Sequence, residues 1–342
     1  MDFGLFYFAN NSAGTNGYRL LLEGARFADT HGFTSVWTPE RHFHPFGGAY
    51  PNPAVTGAAV ATATERVQIR AGSVVAPLHH PLRIAEEWSV VDNLAGGRVG
   101  LSFASGWHAA DFALAPHNYE DRKNVLARTI ADVRELWRGG TLEVADGGGE
   151  KRRLRAYPDP VRRELPVWLT AAGNPDTFRE AGEMGVGVLT HLLGQTVEEL
   201  AQKIALYREA LPEEARPGHV VLMLHTFLGT DREAVREVVR EPFSAYLRNS
   251  LGLLLKAAGD IMPDLDPEDL TPDDVDFLVS LGFEKYFETG GLFGTPEECA
   301  ELVRTVRAAG VDEVACLIDF IDDADTVLGG LEHLDRLRRL VA

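Results

Sequence analysis

The sequence predicts an α/β fold, a (β/α)8 TIM barrel with insertions at its C-terminal face, and three observations predict it. Short apolar strand-like runs alternate with amphipathic helix-like runs almost from end to end. Eight such strand–helix units can be counted. The strand runs are apolar, as expected of a parallel sheet covered by helices. Eight units suit a closed barrel better than an open, doubly wound sheet, which is the rival. With 342 residues and 45% hydrophobic content, the chain can form a single barrel domain over 1–342.

The elements follow in order. DFGLFYF reads as strand one, YRLLLEGARFADTHG as a helix closed by Gly32, and FTSVWT as strand two. NPAVTGAAVATAT carries the helix-start signals Asn52 and Pro53. VQIRAGSVV is strand three, and PLRIAEEWSVVDNLAGG is a helix with Pro first and Gly last. RVGLSFAS is strand four, followed by an excursion over 106–118 and the helix DRKNVLARTIADVRELWRGG. PVWLTAAG, VGVLTHLL and HVVLMLHTFLG are strands five to seven, each followed by a helix, and DEVACLIDF is strand eight. Two stretches break this rhythm. Residues 142–166 hold GGGEKRR and read as a surface hairpin or loop. Residues 260–294 are acidic and Pro-rich, and read as a lid-like insertion over the barrel mouth.

Composition excludes several classes. The formal charge of −18 argues against a nucleic-acid partner and against anionic membranes. Two cysteines, Cys299 and Cys316, cannot make a disulfide framework, and they fit a reducing, cytoplasmic setting. MDFGLFYFANN lacks a basic n-region and reads as a strand rather than a signal peptide. No apolar run reaches the roughly 18 residues that span a bilayer.

In such barrels the active site lies at the C-terminal ends of the strands. Those ends deliver Ala9, Asn10 and Asn11; then TPERHFHPFGG; then Ser73 through His80; Ala104 through His108; Thr170 through Asn174; Thr190 and His191; His225 and Thr226; and Asp319. His42 and His44 share a face in an extended segment, whereas the adjacent His79 and His80 point apart. No HExxH and no well-placed carboxylate partner accompany them, so no metal site is expected. GxGxxG after a strand and GxxxxGK[ST] are both absent. AAGNPDTF is different. It runs strand, Gly173-Asn174, then Pro175 at a helix start, which is the layout of an anion seat or of a plain helix cap. Since Pro175 has no N–H, donors at such a seat come from Gly173, Asn174 and Thr177.

With TPERHF, AGSVVAPLHHP, FASGWHAADF and FGTPEEC together, the chain resembles the bacterial luciferase-like, flavin-dependent monooxygenases, over residue 2 to about residue 334. The resemblance is strongest to the branch found beside nonribosomal peptide and polyketide synthases. It implies an enzyme that takes reduced FMN from a separate reductase and oxidises a small or carrier-tethered acyl or aminoacyl substrate through a flavin C4a-hydroperoxide. The same barrel also serves F420-dependent oxidoreductases and non-catalytic flavin-binding relatives, and family members are often homodimers.

The implied residues are as follows. Glu40 takes the place of the glutamate in the family's strand-two element and His42 that of its second histidine. Arg41 stands where luciferases carry their catalytic histidine. Glu40 and Arg41 are expected to pair or orient the rim, with His42 or His108 handling the proton. Gly72-Ser73 falls where the family often has a non-prolyl cis peptide under the flavin ring. Ala104, Ser105 and Trp107, with His108, resemble the strand-four flavin loop, although Ser105 replaces a phosphate-binding arginine. Ala172, Gly173, Asn174 and Thr177 resemble the phosphate seat, and Thr190 and His191 the strand-six flavin wall. Phe6, Phe8, Trp37, Phe43 and Trp107 are expected to keep the site dry. The basic run KRRLR at 151–155 could meet an acidic carrier domain.

Overall fold

The computed structural model describes residues 1–8, 16–44, 47–249 and 271–342. The predicted residues Ala9, Asn10 and Asn11, the Pro45-Phe46 part of the strand-two rim, and 260–270 of the lid-like segment lie outside the described residues.

Eight parallel strands close into a barrel. They are β1 (Asp2–Phe6), β2 (Ser35–Thr38), β3 (Gln68–Val75), β4 (Val99–Ala104), β7 (Val167–Thr170), β8 (Gly187–His191), β9 (Val220–Leu228) and β11 (Glu313–Leu317). Sheet order follows chain order, with β8 pairing β9 and β11 pairing β1 to close the ring. Helices α1 (Asn16–Thr30), α2 (Pro53–Ala63), α3 (Pro81–Ala95), α4 (Arg122–Trp137), α5 (Pro175–Glu183), α6 (Val197–Ala210), α7 (Arg232–Asn249), α8 (Pro272–Thr289), α9 (Pro296–Ala308) and α10 (Ala324–Leu340) complete the βα rhythm.

Local signals explain where helices begin. Asn52 accepts from the N–H groups of Ala54 and Val55, with Pro53 as the first helical residue. Thr295 and Glu298 form a reciprocal capping box at the start of α9. Among the described residues no helix is long and apolar enough to cross a membrane.

The N-terminal end of the barrel is closed by a buried charge pair. Arg70 Nη1 donates to Glu313 Oε2 at 2.6 Å, and the guanidinium lies 4.9 Å from the ring of Trp37 and 4.5 Å from that of Trp168. Ser35 donates to the same carboxylate at 2.5 Å. Burial would raise the Glu313 carboxyl, but Arg70, His219 and Ser35 outweigh it and hold it below the ordinary value. Chemistry is thereby left to the opposite end.

The predicted surface hairpin is an antiparallel pair, β5 (Leu142–Ala145) with β6 (Lys151–Leu154). One strand went unpredicted. β10 (Leu292–Gly294) is three residues long and pairs with the upper part of β9, too short to show a periodicity. Within the lid-like segment, α8 packs against α7 and buries Val279, Phe283, Tyr286 and Phe287.

Candidate active site at the barrel mouth

β2 ends at Thr38, and the next residues turn inward across the mouth. Glu40 is buried and accepts three hydrogen bonds. Its Oε1 receives His42 Nε2 at 2.8 Å and His79 Nε2 at 2.5 Å; its Oε2 receives the Val75 N–H at 2.7 Å. Burial pushes this carboxyl up, but the two imidazole hydrogen bonds, the charge of His79 and the Val75 N–H together hold it below its ordinary value. Burial pulls His79 down, yet the hydrogen bond and charge of Glu40 raise it above the ordinary histidine value. With Nε2 of both rings donating to the ionised carboxylate, each Nε2 carries a proton and each Nδ1 points away from Glu40.

Sequence reading did not single out His79 for this role. It follows the short helical turn Ala76–Leu78 and turns toward Glu40, while His80 caps α3 by accepting the Leu82 N–H. The expected Glu40–Arg41 pairing is corrected: Glu40 is occupied by the two histidines, and the nearest carboxylate to Arg41 is Asp111, at 4.0 Å. The dry wall is corrected in part. Phe6 and Trp37 are buried and Phe8 is half-buried, but Phe43 is 66% and Trp107 63% exposed. Phe43 has a φ of 54°, which marks a turn of the chain there. His108 lies against Trp107 and has no hydrogen bond to the Glu40 cluster.

The Gly72–Ser73 peptide is cis. Gly72 is needed for packing, because a Cβ there would stand 2.6 Å from the Phe6 ring. Beside it three hydroxyls meet. Ser73 bonds with Thr170 and, at 3.3 Å, with Ser102, while Ser102 and Thr170 are 2.8 Å apart. Ala104, paired with Val75, and Ser105 line the strand-four exit and are half-buried.

Across the mouth, Thr190 and His191 end β8. Thr190 is buried, and His191 Nδ1 is a buried atom with no hydrogen-bond partner among the described residues. Burial lowers His191 to about 4, so its ring is neutral near pH 7. Gln195 bridges this wall to the loop after β7. Its Nε2 bonds to the His191 carbonyl, to Thr190 Oγ1 at 3.3 Å and to the Ala172 carbonyl at 3.4 Å, while its Oε1 accepts from Lys203 Nζ at 2.9 Å. Lys203 Nζ lies 4.0 Å from where a Gly173 side chain would begin. The expected donor at the Thr177 N–H is corrected: it is used by the Asn174 carbonyl at 3.2 Å, and Asp176 N–H by the Asn174 side chain. The N–H groups of Gly173 and Asn174 have no hydrogen-bond partner among the described residues. Neither Gln195 nor Lys203 was foreseen. Both sit on the α6 side of the mouth, and only folding brings them to Gly173.

Two further polar groups stand at the strand ends. His225 is enclosed by the rings of Phe243, Tyr246, Tyr286 and Phe320, and burial, then the nearby His191, lowers it to about 3. Asp319 Oδ1 accepts the Phe8 N–H at 2.8 Å, Oδ2 has no partner among the described residues, and burial raises the carboxyl to about 7. Among the described residues, the side chains that gather as potential metal ligands are Asp2, His219 and Glu313. They lie at the opposite end, where Arg70 already neutralises Glu313.

Comparison with known proteins gives the chain's family and its fold. The family described as luciferase-like monooxygenase matches residues 1–313. The oxygenase component of the flavin-dependent trigonelline monooxygenase of Acinetobacter baylyi is 25% identical over 309 residues, covering 88% of this chain and 83% of that protein. The oxygenating constituent of 3,6-diketocamphane monooxygenase from the CAM plasmid of Pseudomonas putida, solved with FMN, superposes with a TM-score of 0.75 at 19% identity, over 98% of this chain and 97% of that one. An F420-dependent secondary alcohol dehydrogenase, solved with an F420–acetone adduct, gives 0.71 at 18% identity, over 100% and 99%.

Proposed function

From the premise that the chain belongs to the luciferase-like monooxygenase family, and is an oxygen- and flavin-dependent oxidoreductase, we propose that it is the oxygenase half of a two-component system. It takes reduced FMN from a separate reductase and oxidises a small organic substrate. The observation that carries this reading is a set of polar groups left for a ligand on neighbouring strands: His191 Nδ1 after β8, and the Gly173 and Asn174 N–H groups beside Lys203 after β7. A buried group such as His191 Nδ1 normally finds a partner in folded proteins, whereas the Gly173 and Asn174 N–H groups are exposed and open to an incoming ligand. Here the first suits the edge of a flavin ring, and the second suits its phosphate.

When bound, reduced flavin supplies the electrons that activate dioxygen. The chain's own residues do the rest. Phe6 and Trp37, packed against Gly72, would help keep water from a flavin held at this end of the barrel. Glu40 fixes the His42 ring through Nε2, which leaves Nδ1 to hold or pass a proton. His79 keeps Glu40 ionised. Residues 104–108, with Trp107 exposed, form the strand-four side of the mouth.

Substrate scope also follows from pairing. In the basic run, Lys151, Arg152 and Arg155 already face Glu143, Asp146 and Asp159. This favours a free small molecule over a carrier-bound one. The motifs TPERHF and FASGWHAADF support a place in natural-product oxidation, and two buried cysteines without a disulfide fit a cytoplasmic setting. The likeness to an F420-dependent dehydrogenase keeps one alternative, hydride transfer without oxygen on the same barrel. The test is Lys203→Met. It should weaken FMN binding about ten-fold and leave riboflavin binding unchanged, because only FMN carries the phosphate. Equal loss for both would remove the proposed phosphate seat.

A further inference from the structure

Arg41 is only 6% exposed, yet its guanidinium makes no hydrogen bond to any described residue. Five N–H donors are available on that group. Nε is fully buried with no partner among the described residues, and Asp111 Oδ2 stands 4.0 Å from Nη1, beyond hydrogen-bonding distance. A buried cation in this condition is costly unless an anion completes it. Burial pushes the Asp111 carboxyl up, and Arg41 only partly opposes this, as expected of a loose pair.

The surroundings are built around the arginine. Its main-chain N–H donates to the Tyr50 carbonyl at 3.1 Å. Gly47, with a φ of 82°, leaves room for the side-chain stem, since a Cβ there would lie 2.7 Å from Arg41 Cγ. The Trp107 ring lies 5.7 Å from the guanidinium carbon and is itself mostly exposed. The next residue in the chain is His42, already held by Glu40.

We propose that Arg41 binds the carboxylate of a monoanionic substrate and so fixes that substrate beside His42; this rests on reading the barrel mouth as the active site. A planar guanidinium matches a carboxylate through two parallel N–H bonds. Glu40 and Asp111 already supply two negative charges here, so a phosphate dianion would be repelled about twice as strongly as a carboxylate monoanion. Trp107 offers an aromatic face to the body of the same ligand. In this role Arg41 is a substrate-binding residue.

The experiment is calorimetric titration of the purified full chain with benzoate, with benzamide as the uncharged counterpart, and separately with FMN. Benzoate should bind about ten-fold more tightly than benzamide. Arg41→Gln should abolish that difference while FMN binds as before. Asp111→Asn, which keeps Arg41 and removes its competing carboxylate, should tighten benzoate further, and it serves if the Arg41 variant fails to fold. Equal affinities for benzoate and benzamide in the parent chain, or weaker benzoate binding in Asp111→Asn, would overturn the proposal. So would an Arg41→Gln variant that loses FMN but keeps benzoate, because the anion would then be the flavin phosphate. If benzoate binds as expected and FMN does not, the flavin reading fails and this one stands.

Discussion

His79 donates from Nε2 to Glu40 Oε1 at 2.5 Å, tying the turn after β3 to the end of β2. The same oxygen receives His42, so one carboxylate sets the orientation of both rings. Replacing Glu40 by Gln puts an amide where three N–H donors point, two of them at Oε1 and one at Oε2. At least one donor is then left unsatisfied, at about 1–3 kcal/mol. Glu40→Gln should lower the denaturation midpoint and slow turnover together, as measured by chemical denaturation and oxygen uptake.

His42→Gln should behave differently. It removes the atom assigned to proton exchange and leaves the seat at Gly173 untouched. Turnover should fall by about 10²–10⁴-fold, the usual weight of a positioned acid or base, with FMN affinity unchanged. Full activity in this variant would take His42 out of the mechanism.

The Glu40–His79 pair also has a pH signature. Glu40 is held low, so its contribution to stability is present above the ordinary carboxyl value and is lost as pH falls through its lower folded value. His79 is held high, so its contribution is complete below the ordinary histidine value and is lost as pH rises through its folded value. His79→Gln should therefore destabilise the protein more at pH 6 than at pH 9, by roughly 1–2 kcal/mol at the lower pH. A pH-independent loss would contradict the assignment.

Asp319 should show the opposite dependence to Glu40. Its folded value of about 7 lies above the ordinary 3.8. The folded state then holds a proton that the unfolded state has released, and stability falls as pH rises between these values. Asp319→Asn should flatten that part of the stability–pH curve, as read by denaturant titration at pH 5 and pH 8.

At the closed end of the barrel, Arg70→Met would strand the buried Glu313 charge. The expected loss is about 3–5 kcal/mol, with FMN affinity retained in whatever fraction folds. Denaturant midpoints with and without FMN measure both.

Much of the fold was legible because its signals are local. Asn52-Pro53 and TPEE at 295–298 mark helix starts wherever they occur, and apolar strand runs of this kind need a covered parallel sheet. The strand-end rule also placed Glu40, His42, Thr190 and His191 at the mouth. What could not be read was partnership across the chain. His79 belongs to Glu40, Asp111 approaches Arg41, and Lys203 reaches Gly173 through Gln195. These pairings depend on how β2, β3, β7 and α6 are set around the ring, and no spacing within one segment encodes that. Phe43 shows the converse limit. Its apolar side chain suggested a wall, but its left-handed backbone sits at an exposed turn.

The most direct test of the central claim is anaerobic titration of the purified chain with reduced FMN and, separately, with reduced F420, followed by admission of oxygen. Saturable binding of reduced FMN, and oxidation of an added substrate only once oxygen enters, is the predicted result. Binding of reduced F420 in preference to reduced FMN, with substrate turnover in the absence of oxygen, would contradict it.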